Sequence, residues 1–171
     1  MLFIIDNEKE NDYREIYNLV KIAFQSSNDA DGDEQDYVNN LRLSPNYIPE
    51  LAFTVKVGSE IIGHIMLTKT LLTRKNEELE ALLLSPVCVK LEYRKKGVAS
   101  ELIKHSLNVA KDKGFKAVFL VGNPQYYNRF GFTSITNFGV SNIGDIPLQY
   151  TMAVELVPGS LGTKGGIVSI C

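Results

Sequence analysis

The sequence is short of cysteine, of charge of either sign in excess, and of long apolar runs. Its 171 residues include two cysteines, Cys88 and Cys171, too few for a disulfide framework and suited to a reducing compartment. Eighteen basic residues against twenty acidic ones leave a formal net charge of −2. That balance excludes nucleic-acid binding driven by bulk charge and leaves open only a local basic patch. No stretch approaches the roughly 18 apolar residues of a membrane span. The opening "MLFIIDNEKEN" has only a short apolar start before charge sets in, so no signal peptide is expected. The phosphate-binding patterns G-x-x-x-x-G-K-[ST] and G-x-G-x-x-G are both missing, and the two histidines belong to no visible metal set. A cytoplasmic protein with no nucleic-acid, membrane or metal partner is the expectation.

What is present is patterning for one domain over residues 1–171. "LFII" at Leu2–Ile5 fits a strand. Asp12 and Glu15 resemble a capping box opening a helix, along which Tyr13, Ile16, Tyr17, Val20, Ala23 and Phe24 recur at helical spacing. Beyond the acidic "SSNDADGDEQD", a short helix places Tyr37, Val38 and Leu41 on one side. "LAFTVKVGSEIIGHIMLT" predicts two strands around a Gly58-Ser59 turn. "TRKNEE" predicts a second turn, and Leu79 to Val89 a long strand interrupted by Pro86. Val98, Ala99, Leu102, Ile103, Ser106, Val109 and Ala110 lie on one arc of a helix that stops at Gly114. "AVFLVG" is a buried strand, "NPQYYNRFGF" a turn with about one helical turn, and "YTMAVELV" a late strand. The tail from Pro158 carries four glycines in its last fourteen residues and is assigned no element. The order β-α-α-β-β-β-α-β-α-β predicts a mixed α/β fold.

Between the long strand and its helix stands "YRKKGVAS", Tyr93 to Ser100. A helix N-terminus offers unpaired N–H groups and a partial positive charge. A glycine lets the backbone approach a ligand closely, and neighbouring cations attract phosphate. Anion binding and a plain solvated connection are both compatible with the turn alone.

The run "PVCVKLEYRKKGVASELIKHSL" resembles the acetyl-CoA site of the GNAT superfamily of N-acetyltransferases, where an apolar V-x-V strand precedes [RQ]-x-x-G-x-[GA] at a helix head. Val87 and Val89 match the strand, and Arg94, Gly97 and Ala99 the loop. Downstream, Asn123, Tyr127, Gly131 and Phe132 of "AVFLVGNPQYYNRFGF" resemble the family's second signature. The forms "NPQYYNRFGF" and "ELVPGSL" are similar to the small bacterial YhbS-type branch, with a shorter helix between Asn123 and Tyr127 than the wider family uses. The resemblance implies an acetyl-CoA-dependent N-acetyltransferase acting on a primary amine of a small molecule or protein. It implies a cofactor site of Val87, Cys88, Val89, Arg94, Lys95, Lys96, Gly97, Val98, Ala99, Ser100 and Asn123. It also implies Tyr127 as the acid that protonates the departing thiolate, and Glu80 as a candidate base acting through water. A sensor that binds acyl-CoA without turnover is the alternative. A homodimer is compatible with these features and nothing in them selects it.

The other candidates have plainer readings. Cys88 fits a small buried hydrophobe better than a nucleophile, since no His or Asp accompanies it nearby in sequence. His64 on its strand and His105 on a helix flank are expected to be structural or part-exposed. A calcium loop centred on Gly32 fails, because Ser27 and Val38 would fall where Asp and Glu are required. The plain reading of the segment Asn28–Asp36 is a solvated loop; by the resemblance it lines the acceptor mouth, where its carboxylates would attract a cationic amine.

Overall fold

The computed structural model describes residues 2–25 and 31–170. The chain runs β1 (Ile4–Asn7), α1 (Tyr13–Gln25), α2 (Glu34–Leu43), β2 (Ala52–Val57), β3 (Glu60–Arg74), β4 (Glu77–Val89) and α3 (Val98–Asp112). It continues with β5 (Ala117–Val121), α4 (Pro124–Tyr127), β6 (Thr133–Ser134), β7 (Val140–Asn142), β8 (Thr151–Glu155) and β9 (Gly166–Val168). The predicted order is present, with β6, β7 and β9 added to it. Two compact units result, Met1–Thr68 with Ser85–Ser106, and Lys69–Leu84 with Leu107–Cys171. The chain passes from one to the other inside β3, β4 and α3.

In the first unit β1 pairs antiparallel with β2, and β2 with β3 across the two-residue turn Gly58-Ser59. Strand residues alternate between two faces. On one face Ala52, Ile61, Met66 and Cys88 meet Ile16, Leu19, Val20 and Ala23 of α1 and Val38 of α2. On the other, Gly63 of β3 lies under the first turns of α3. A Cβ added there would stand 3.2 Å from Leu102 Cδ1 and 3.3 Å from Val98 Cγ1. The missing side chain lets the head of α3 sit close on the strand, and the Phe53 and His105 rings meet edge-on at 4.8 Å beside it. Glu15 departs from its expected capping role. The box closes one turn earlier, with the Lys9 N–H donating to Asp12 at 3.0 Å, while Glu15 accepts the Ile61 N–H at 2.9 Å.

In the second unit β4 and β5 are parallel, in register Leu82↔Val118, as a strand–helix–strand crossover through α3 requires. β5 pairs antiparallel with β8, and β8 with β6. The glycine-rich tail supplies β9, which lies between the end of β3 (Leu72↔Val168) and β7 (Val140↔Gly166). Leu72, Phe119, Ile135, Ala153, Leu161 and Val168 form part of the core beneath these strands. α3 stops as expected at Gly114, at φ 92°. There the N–H groups of Gly114 and Phe115 return to the carbonyls of Lys111 and Ala110.

Candidate active site

The end of β4 and the start of α3 frame the basic turn. Lys95 and Gly97 both take left-handed backbone, at φ 62° and φ 83°, and α3 follows immediately at Val98. Its first backbone bond is from the Glu101 N–H to the Gly97 carbonyl at 3.0 Å. The N–H groups of Val98, Ala99 and Ser100 therefore precede the helical ladder and stay available to an external acceptor. A Cβ built on Gly97 meets nothing within 4 Å, so the space over the turn is open. Val98 is buried, anchoring the helix head, while Lys95, Lys96 and Gly97 are exposed. Open N–H groups, a positive helix end, two exposed ammonium groups and unobstructed backbone suit a pyrophosphate.

Arg94 behaves differently from its lysine neighbours. Its Nε donates to the Val89 carbonyl at 3.1 Å and a terminal nitrogen donates to the Ala23 carbonyl at 3.0 Å. In β4, Val87 is half-buried while Cys88 and Val89 are buried, and the Ser85–Pro86 peptide bond is cis. Burial pushes the Cys88 thiol up to about 12, against the pull of the Arg94 charge, so at neutral pH it is an inert thiol.

Tyr127 ends α4 in the second unit. Burial, with a contribution from Tyr126, raises its hydroxyl to about 12, so it is protonated throughout the physiological range. Its ring packs edge-on to Phe132 at 6.0 Å and to Tyr126 at 5.0 Å. Gly122 makes room for it: a Cβ there would lie 2.8 Å from Tyr127 Cδ2 and closer still to Cε2. Asn123 caps α4, its side-chain oxygen accepting the Gln125 N–H at 3.0 Å, which leaves its amide nitrogen as the group for any ligand. Glu80 is exposed in β4. It borders an open cleft with Leu79, Lys113, Gly114, Phe115 and Lys116, and it makes no hydrogen bond or ion pair among the described residues.

A family model described as an acetyltransferase (GNAT) domain matches residues 5–135. The chain belongs to the GNAT family of N-acetyltransferases. It is 28% identical over 129 residues to YjhQ of Escherichia coli, described as an uncharacterized N-acetyltransferase, covering 75% of this chain and 67% of that one. To E. coli YhbS, with the same description, it is 30% identical over 114 residues, 67% of this chain and 64% of the relative. The chain thus spans about two thirds of the length of these relatives. In fold it is similar to the crystal structure of E. coli YhbS in complex with CoA. The TM-score is 0.87 at 22% identity, with 99% of this chain and 89% of that one covered. A Brucella melitensis GNAT acetyltransferase in complex with acetyl-CoA gives 0.81 at 22% identity, covering 99% and 96%.

The GNAT motifs hold no hint of the most heavily bonded group in the first unit. Glu8, just past β1, is buried at the centre of four donors. Arg42 of α2 makes a two-pronged pair with it, Nε to Oε2 at 2.8 Å and Nη2 to Oε1 at 2.9 Å. Tyr47 donates to Oε2 at 2.6 Å, and His64 Nε2 lies 2.8 Å from Oε1. Burial alone would raise the Glu8 pKa, but the bonds from Arg42, His64 and Tyr47 outweigh it and hold the carboxyl at about 2. An ionised carboxylate only accepts, so His64 carries its proton on Nε2. The Tyr47 hydroxyl is pushed up by burial and by the Glu8 charge, and the Arg42 guanidinium stacks 4.0 Å over the Tyr13 ring. His64 is fully buried and bonded through Nε2, while its Nδ1 has no hydrogen-bond partner among the described residues.

Of the acidic segment, Asn28, Asp29 and Ala30 lie outside the described residues. Beyond them, Glu34 turns back to accept the N–H groups of Asp31 and Gly32, at 2.7 and 3.1 Å. His105 is half-buried against Phe53. No described helix is long and apolar enough to cross a membrane.

Proposed function

We propose that this GNAT chain transfers the acetyl group of acetyl-CoA to a primary amine by direct attack, residues 1–171 acting as one catalytic domain. The observation that carries this is the head of α3: two left-handed residues, an unobstructed Gly97 and N–H groups with no helical partner. Related chains whose structures hold CoA and acetyl-CoA share the fold, which supports the same ligand here. The N–H groups of Gly97 to Ser100, with Lys95 and Lys96, would hold the pyrophosphate. The β4 backbone from Val87 to Val89 would run beside the pantetheine, with Asn123 Nδ2 offering a further donor. When bound, acetyl-CoA supplies an activated acyl carbon and a thiol leaving group.

Transfer forms a C–N bond and breaks a C–S bond, so one proton must leave the amine and one must reach the sulfur. Tyr127 keeps its proton at neutral pH, with its pKa at about 12, and gives it to the thiolate as the C–S bond breaks. The amine must be neutral to attack. For a lysine-like acceptor that costs about 4.6 kcal/mol at pH 7, and for an α-amino group about 1–1.4 kcal/mol. Glu80, through water, is the carboxylate that the family resemblance offers for that proton, but it borders the cleft of Lys113 to Lys116 past the C-terminal end of α3, about 20 Å along that helix from Val98 to Ser100. That placement favours the second reading, an acyl-CoA sensor without turnover. The enzyme reading goes with a cytoplasmic protein, needs no metal, and leaves a homodimer open. Thiol release from acetyl-CoA, measured across polyamines, aminoglycosides, amino acids and peptide N-termini, tests it. Release with any amine supports transfer. CoA protection against thermal unfolding without release supports the sensor, and neither result would refute both.

A further inference from the structure

Arg94 heads the basic turn, and by charge alone it would be the first cation offered to a pyrophosphate. Its guanidinium is engaged elsewhere. Nε donates to the carbonyl of Val89, the last residue of β4, and a terminal nitrogen donates to the carbonyl of Ala23. Ala23 stands among the last four residues of α1, whose carbonyls a helix leaves without intrahelical partners. A cation at that end also complements the helix dipole. Both acceptor residues are buried and the Arg94 charge is felt by the buried Cys88 thiol; Arg94 as a residue is exposed like the lysines after it, but its two carbonyl bonds are part-buried and fix where the guanidinium sits. The Arg94 N–H, in addition, donates to the Leu91 carbonyl at 3.3 Å. The next residue, Lys95, sits at φ 62°, a conformation that a side-chain-bearing residue holds only when its surroundings impose it.

We propose that Arg94 is a positioning residue and not a phosphate ligand. By bridging the end of β4 to the end of α1 it holds Lys95 and Gly97 in their left-handed backbone. The N–H groups of the first turn of α3 are thereby aimed before the ligand arrives, and a preorganised site loses less on binding. The phosphate-facing cations are Lys95 and Lys96. Neither ammonium makes a hydrogen bond or ion pair among the described residues, and Lys96 Nζ rests 5.6 Å from the Tyr93 ring centroid. The inference rests on the CoA reading above. It separates two roles that a basic turn usually merges: the fork of an arginine reaches two carbonyls at once, whereas lysine offers a compact point charge on a flexible stem.

The test is CoA titration by calorimetry on the full chain at several salt concentrations, for wild type, Arg94→Lys, Arg94→Gln and the double variant Lys95→Gln/Lys96→Gln. Amide hydrogen exchange is followed on the same ligand-free proteins. Arg94→Lys and Arg94→Gln should both weaken CoA binding about 10-fold or more, as loss of a charged hydrogen bond does, with the wild-type salt dependence retained. The lysine pair variant should flatten the salt dependence. Exchange in the last turn of α1 should rise in both Arg94 variants. If Arg94→Lys binds CoA within twofold of wild type while Arg94→Gln is weak with a flattened salt slope, the guanidinium is a phosphate contact and the proposal is overturned. Should wild type not bind CoA, the cofactor reading falls. Hydrogen exchange then decides alone: unchanged protection at the end of α1 in both variants would overturn the tether.

Discussion

Replacing Glu8 by Gln keeps the shape of the side chain and removes its charge, leaving the Arg42 guanidinium buried at 6% side-chain exposure without its partner. Removing one member of a buried pair typically costs about 3–5 kcal/mol. A second route gives the same size. The Glu8 carboxyl is held at about 2 instead of 4.5, and at 1.36 kcal/mol per pKa unit that gap contributes about 3 kcal/mol to stability at neutral pH. The folded-state pKa is the lower one, so the contribution is fully present above about pH 4.5 and is lost as the pH falls through about 2. Urea unfolding of wild type and Glu8→Gln at pH 7, 5, 3 and 2 reads both quantities. The expected difference is about 3 kcal/mol at pH 7, or about 6–12 °C in Tm for a chain of this size, shrinking towards zero at the acid end. Wild type and variant within 1 kcal/mol at pH 7, or two stability curves that run parallel from pH 7 to 2, would refute the account of Glu8 as the ionised centre of the cluster.

Three further outcomes follow from the site. Gly97→Glu adds bulk and negative charge to a left-handed position under open space and should abolish measurable CoA binding by calorimetry; unchanged affinity would remove the turn from the cofactor site. Tyr127→Phe keeps the ring against Phe132 and should lower kcat by roughly 10²–10⁴, nearer the low end because a thiol is already a tolerable leaving group, with CoA affinity held; full turnover would take Tyr127 out of the mechanism. Gly122→Ala forces a methyl into the Tyr127 ring, so it should lower kcat much as Tyr127→Phe does, and the double variant should be little worse than either alone. Additive losses would mean that Gly122 acts on something other than that ring.

The parts of the molecule that the sequence made legible are those decided by neighbours in the chain. The Gly58-Ser59 hairpin, the arc of α3 and the Arg94–Ser100 turn each depend on residues a few positions apart. The buried cluster was invisible for the opposite reason. Glu8 draws on Arg42, Tyr47 and His64, which are 34, 39 and 56 residues away, and each looks ordinary in its own segment. Arg94 stands in a local pattern of cations, while the Ala23 carbonyl it bonds lies 71 residues earlier, beyond the reach of any local pattern. Glu15 fitted a capping pattern locally until the Ile61 N–H, 46 residues on, competed for it. The tail offered no periodicity at all; β9 exists because β3 and β7 present open edges to it.

The state of Cys88 decides how turnover can be watched. A thiol under apolar packing with its pKa at about 12 has almost no thiolate at pH 7–8, and disulfide reagents attack only through the thiolate. The folded enzyme is therefore silent to a chromogenic disulfide at this position, whereas free CoA reacts at once. Cys171 is the remaining thiol, and Cys171→Ser leaves a protein whose own sulfur contributes no colour until it unfolds. In that background one reagent reports two events. A steady rise in absorbance counts acetyl groups transferred, and a single stoichiometric step marks the moment the first unit opens.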